Sequence, residues 1–238
     1  MRIPLPKVTK AADAKGHPYP IQIGYQTLEF LQGTLFYISF QDVAAGEFVR
    51  TPGAMDRMEA IFQEQLYNKQ TYDEAWRYLK KYQEIFEKAA FSNVLISFCS
   101  HWDWYLRQLS KFIEFGNNHV GGPVLSNYER KELSRIGNSP FLRQVELLEK
   151  ATGCLFGLSQ NEREHLQEMS LVRNLGLHNR WEVDEKYLQH SKIQGLSIGE
   201  LRLVGVDELY AWHADLMRLI SQTSMKIAVR YVNAPDYP

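Results

Sequence analysis

The sequence predicts a mainly α protein, a single helical bundle with a small irregular or hairpin insertion, and three observations predict it. Apolar residues recur every three to five positions in most long segments, as in Leu166, Met169, Val172 and Leu177, which is the period of a helix buried on one face. Helix-opening signatures precede several of these segments: Thr71 with Glu74, and Ser159 with Glu162, each a hydroxyl followed three residues later by a glutamate. No glycine or proline interrupts Thr71 to Phe115. The chain is 238 residues long, 45% hydrophobic and 13% aromatic, enough apolar material for a packed core.

Taken in order, residues 1–20 hold Pro4, Pro6, Gly16, Pro18 and Pro20 and read as an extended lead. Residues 25–44 fit a helical stripe through Leu28, Leu31, Leu35 and Ile38, although Ile21, Ile23 and Tyr25 alternate like a strand. A turn follows at Gly46 to Gly53, then a helix over Met55 to Leu66. The next helix opens at Thr71 and carries Trp76, Leu79, Ile85, Phe98, Trp102, Leu106 and Ile113, with a kink or break expected near Lys88 to Asn93, because an unbroken helix of that length is unusual. Gly116 to Asn127 and Ser134 to Pro140 read as loops, and Ser139-Pro140 starts a helix through Cys154. The segment opened by Ser159 follows. Asp184 to His190 makes a short helical turn, Lys192 to Gly205 a hairpin or extended stretch, and Asp207 caps the final helix. These elements divide the chain into an unassigned N-terminal extension or subdomain over 1–70, a helical domain over 71–232 and a tail over 233–238.

The chemistry concentrates in Glu164 to Asp184, where Arg173-Asn174-Leu175-Gly176-Leu177-His178-Asn179 sits in the helical pattern. Asn174 and His178 are four residues apart and share a face. Arg173 is five from His178 and points ~140° away on an ideal helix. Either the helix distorts near Gly176, or a second copy of the chain supplies the missing half.

The run Arg-Asn-x-x-x-His, followed by Asn179 and by Val183-Asp184, resembles the R-x4-6-H motif of the HEPN superfamily, over roughly residues 80 to 230. The resemblance implies a helical bundle with the motif at the end of a long helix, and a metal-independent endoribonuclease active as a homodimer with a composite site. It implies RNA as the substrate, a toxin or phage-defence role, and an antitoxin or other inhibitor as a further partner. Asp103, between Trp102 and Trp104, matches the polar or acidic residue that an earlier helix of that family often turns toward the motif. It can pair with Arg173 or fix a tautomer of His178. One departure matters: some HEPN toxins continue as His-x-Tyr and are silenced through that tyrosine, whereas here the residues are His178-Asn179-Arg180.

The residue types suit that reaction. Histidine titrates near neutrality and can move the 2′-OH or leaving-group proton. A guanidinium can neutralise the charge that builds on phosphorus. Arg173, His178, Asn174 and Asp103 are therefore the candidate catalytic residues, and Asn179, Arg180 and Trp181 the candidate substrate contacts. The same Arg and His also suit a helix end that merely complements its dipole, and a non-catalytic HEPN-fold module binding RNA, a nucleotide or a protein is the alternative.

The formal net charge of −1 argues against a protein that coats nucleic acid, while leaving room for a local basic cleft. No His-Glu-x-x-His, His-x-His or Cys/His pairing occurs, so neither a metal nor a cofactor is expected. Cys99 and Cys154 read as free thiols of a reducing compartment. No apolar run reaches the ~20 residues of a membrane span, and a cytoplasmic location is expected.

Overall fold

The computed structural model describes residues 17–53, 60 and 69–234. Seven α-helices make up the described chain: α1 (Tyr19–Arg50), α2 (Lys69–Val120), α3 (Asn127–Ser134), α4 (Phe141–Thr152), α5 (Gln160–His178), α6 (Glu185–His190) and α7 (Val206–Arg230), with a 3-10 turn at Ile136–Asn138. Among the described residues there is no strand, and one isolated antiparallel bridge pairs Glu182 with Leu201. The bundle is thus mainly α, and the segment after the motif helix is irregular rather than a hairpin.

α2 is the axis. Leu95, Phe98, Trp102, Tyr105, Leu106, Leu109 and Ile113 are all fully buried along it. His101 and Asp103, beside Trp102, are buried as well. Three consecutive buried residues sweep ~200° of a helix at ~100° each, so α2 is covered on more than one side. α1 packs along α7 and α2, while α4, α5 and α7 each lie on α2. α1 therefore joins the same core through Tyr19, Ile23 and Leu31, although it falls in the N-terminal region that the sequence leaves unassigned.

Several boundaries differ from the expectations. α1 begins at Tyr19, so the alternating Ile21 to Tyr25 segment is helical. α2 is already helical at Lys69, so Thr71 is not its first cap, and no break falls at Lys88 to Asn93. The helix also passes through Gly116 to Val120 instead of ending. Gly116 is not a breaker but a seat: a Cβ there would lie 2.5 Å from the Tyr231 ring. Helix α3 carries an unforeseen capping box, Ser126 with Glu129. The box at Ser159 and Glu162 opens α5 as expected. Asp207 lies in the first turn of α7, whose N-cap is Gly205. The helix expected over Met55 to Leu66 and the end of the tail lie outside the described residues.

A buried polar network fixes the irregular segment. The Arg202 guanidinium reaches Glu168 on α5 (Nη2 to Oε1 3.2 Å) and also pairs with Glu208. The Tyr187 hydroxyl donates to Glu168 Oε1 at 2.5 Å, and Ser191 Oγ donates to Oε2 at 2.8 Å. Burial, with the Glu168 bond, pushes the Tyr187 hydroxyl up to about 12. Such a network is stable only when each member is satisfied, which locks residues 187–208 to the motif helix.

Two histidines are built into the core. His101 stacks on Phe30 with ring centroids 4.9 Å apart, and His213 lies 5.4 Å from Phe98. The Nε2 atom of each is buried without a hydrogen-bond partner. Burial holds both rings below the ordinary histidine value of 6.5, a bond to the Leu31 backbone opposing the effect at His213. The unfolded chain binds these protons at ~6.5 and the folded chain only at lower pH, so folding stability is full above that value and falls as pH drops through it. Urea unfolding from pH 7.5 to 5 is expected to show this loss, and His101→Phe with His213→Phe to flatten it.

Candidate functional site

Helix α5 carries the motif and remains helical to its last residue, His178. Gly176 does not distort it. The glycine instead admits the indole of Trp181, which folds back on the helix: a Cβ at Gly176 would lie 2.4 Å from the ring. The chain reverses through two left-handed residues, Arg180 (φ 52°) and Trp181 (φ 69°). Such conformations cost of order 1–3 kcal/mol each in a residue with a side chain and persist only where the surroundings impose them. Here the surroundings are specific. The Trp181 N–H returns to Leu175 O at 3.1 Å, Arg202 N–H donates to Trp181 O at 2.8 Å, and Val183 N–H donates to Glu200 O at 2.8 Å. Asn179 bonds the Asp184 carboxylate, whose other oxygen caps α6 by accepting from Tyr187 N at 2.7 Å.

Arg173 and Asp103 are brought together. Arg173 Nη2 donates to Asp103 Oδ2 at 2.6 Å. The arginine side chain is 21% exposed and the aspartate 9%. Gln144 of α4 completes the arrangement: its amide donates to Asp103 Oδ1 at 3.2 Å and to Ile136 O at 2.9 Å, while its carbonyl accepts from Trp102 Nε1 at 2.7 Å. The guanidinium also lies over the Phe141 ring, 5.7 Å from its centroid. Burial pushes the Asp103 carboxyl above its ordinary value, and Arg173, Gln144 and Arg107 oppose that shift. Of the two roles open to Asp103, pairing with Arg173 is the one adopted.

His178 stands apart from this cluster. It is exposed at the C-terminus of α5, as is Asn174 on the same face. Because α5 continues unbroken, Arg173 and His178 of one chain diverge by the ~140° of an ideal helix. Arg180 is exposed, Asn179 is used by Asp184, and Trp181 is half-buried on α5. Arg173 and His178 line neither the groove along the outer side of α2 nor the pocket between α5, α6 and α7. Among the described residues no three His, Cys, Asp or Glu side chains cluster as metal ligands. Cys99 and Cys154 are free thiols, and burial pushes the Cys99 thiol well above its ordinary value. No described helix is long and apolar enough to cross a membrane.

Gln144 was not singled out by sequence. A polar residue among Phe141, Val145 and Leu148 on the buried side of α4 was the available signal, and its partners, 41 and 42 residues away, were not.

Two substitutions probe the stability of this arrangement. Asp103→Ala leaves a half-buried guanidinium and Gln144 without their acceptor and is expected to cost ~3 kcal/mol in urea unfolding, with Asp103→Leu/Arg173→Met costing less than the single change. Gly176→Ala forces the Trp181 indole off α5 and is expected to cost ~1–3 kcal/mol by overpacking, measured the same way.

No family model matches the chain, and no curated protein or solved structure matches it.

Proposed function

We propose that this chain is a HEPN-type, metal-independent endoribonuclease whose active centre is completed by a second copy. The observation that carries the reading is the link from Asp103 to Arg173, with an exposed His178 at the end of the same unbroken helix. A guanidinium has five N–H donors, and Asp103 engages one nitrogen. The remainder is held in one orientation between a carboxylate and the Phe141 ring, ready to accept a phosphate without further ordering. Since Arg173 and His178 of one chain point apart, a shared target needs Arg173 of one protomer and His178 of the other.

In this chemistry the 2′ oxygen attacks phosphorus and the P–O5′ bond breaks, leaving a 2′,3′-cyclic phosphate and a 5′-hydroxyl. A neutral His178 takes the 2′-OH proton. The departing O5′ takes its proton from water. The guanidinium bonds the non-bridging oxygens as negative charge builds on them. DNA lacks the nucleophile and is not cut. The toxin or defence role, and an inhibitor that holds such activity in check, belong to the same reading.

A second reading has its own support. Arg173 is tied to Asp103 while His178 lies exposed and apart from it on the same chain, which suits a non-catalytic module of this fold that binds RNA, a nucleotide or a protein.

RNA cleavage in EDTA separates the two. Wild type is expected to release 2′,3′-cyclic phosphate ends, and Arg173→Ala or His178→Ala to lower the rate by ~100-fold or more. Equal activity in all three removes the motif from the mechanism. RNA binding by a wild type that does not cut favours the binding module, and a strictly monomeric protein in sedimentation counts against the shared centre.

A further inference from the structure

A sizeable cavity lies away from the motif, along the outer side of α2. It is an open groove of ≈ 940 Å³ between α2, the loop at 122–125, helix α3 and the 3-10 turn. Four cations line it, Arg107, Lys111, Arg130 and Arg135, against one carboxylate, Glu114. For a chain whose formal net charge is −1, this is a strong local excess of positive charge.

The excess is built in by the way the neighbouring acids are used. Helix α3 alternates acid and base as Glu129-Arg130-Lys131-Glu132. Both of its glutamates are taken from the α4 side: Glu129 by Lys150, and Glu132 by Arg143 at 2.7 Å. Elsewhere Lys192 pairs with Glu164, Arg202 with Glu168 and Glu208, and Arg218 with Glu162. Among the described residues no ion pair neutralises any of the four groove cations. Four cations gathered around a single carboxylate repel one another, so the arrangement gains energy when an anion enters.

Arg107 packs against the 3-10 turn. Its guanidinium lies flat against buried Gly137, where a Cβ would meet Nε at 2.6 Å and Nη2 at 2.9 Å. Arg107 and Lys111 stand one turn apart on α2, ~6 Å along the axis, close to the step between successive phosphates of a single strand. The half-buried Trp104 lines the same groove and offers a ring to a base, and the exposed Asn118 and Asn138 offer amides. Single-strand sites combine these features: a basic track and an aromatic face.

We infer that this groove binds the sugar–phosphate backbone of single-stranded RNA. Arg107 and Lys111 hold consecutive phosphates, Arg130 and Arg135 grip the strand from the opposite wall, and Trp104 stacks a base. Arg107 lies one helical turn beyond Asp103, close enough for its charge to act on that carboxyl. The choice of RNA over DNA rests on the proposed ribonuclease reading. The phosphate-binding role does not, since none of these residues belongs to the motif.

The test is fluorescence anisotropy with a labelled single-stranded RNA of ~12 nucleotides, within the usual range of single-strand site sizes, in the His178→Ala background and in EDTA so that the strand stays intact. Lys111→Glu/Arg130→Glu/Arg135→Glu is expected to weaken binding by ~10-fold or more. It should also flatten the salt dependence, by ~0.7 in the log–log slope for each phosphate that the variant no longer neutralises. Arg163→Glu/Lys186→Glu/Lys131→Glu makes the same change in net charge outside the groove lining and is expected to have little effect. Gly137→Ala keeps every charge but displaces Arg107, and is expected to weaken binding several-fold with an unchanged circular dichroism spectrum. Equal losses in the two charge-reversed triples, or no binding by the background protein at low salt, overturn the assignment. Failure of the two proposals is separable: cleavage by wild type with undiminished binding in the groove triple leaves the nuclease standing and removes the groove, whereas groove-dependent binding without cleavage does the reverse.

Discussion

The structure depends on one long helix that must be covered on several sides at once. α2 presents Leu95, Phe98, Trp102, Tyr105, Leu106, Leu109 and Ile113 to the interior, far more apolar surface than one neighbour can bury. Four other helices are arranged by that requirement: α1 and α7 pack together along it, and α4 and α5 lie on it in turn. Non-directional burial explains why these elements come together. It does not explain their register, which is set by a few polar bonds inside the apolar mass. Trp102 to Gln144, Gln144 to Asp103 and Asp103 to Arg173 form a chain across α2, α4 and α5, and Tyr105 bonds Ser224 of α7 at 2.7 Å.

That polar chain is also where structure and proposed chemistry meet. An aspartate in such a place is expensive unless its charge is answered, and Arg173 answers it. The same bond orders the guanidinium. A carboxylate that stabilises the fold by holding an arginine still is thereby a positioning residue for whatever the arginine binds. His178, by contrast, is left exposed at the end of α5, and only in the proposed nuclease does a second copy complete its surroundings.

Much of this is legible in the residues. Periodicity identifies the helices, and Ser159 with Glu162 marks the start of α5. Asp103 stands out as a carboxylate between two tryptophans, a pattern that an ordinary helix surface charge fits as well as a site residue does. The misreadings share a cause. Gly116 reads as a helix end, and distortion at Gly176 is one of two ways offered to bring Arg173 and His178 together, because a glycine in a sequence signals backbone freedom. In the fold both serve as gaps for a ring, Tyr231 in one case and Trp181 in the other. Packing of that kind joins residues far apart or across a turn, and no local pattern encodes it. The basic groove is equally invisible, because its cations are spread from Arg107 to Arg135 and matter only once α4 has claimed the acids between them.

The pairing of Glu129 and Glu132 with α4 has a consequence for how this molecule behaves as an electrical object. Cations gathered in one groove give a near-neutral particle a locally positive face. Such a particle adsorbs to a sulfonated or phosphorylated matrix by its positive end, at a pH where its total charge would have it pass straight through.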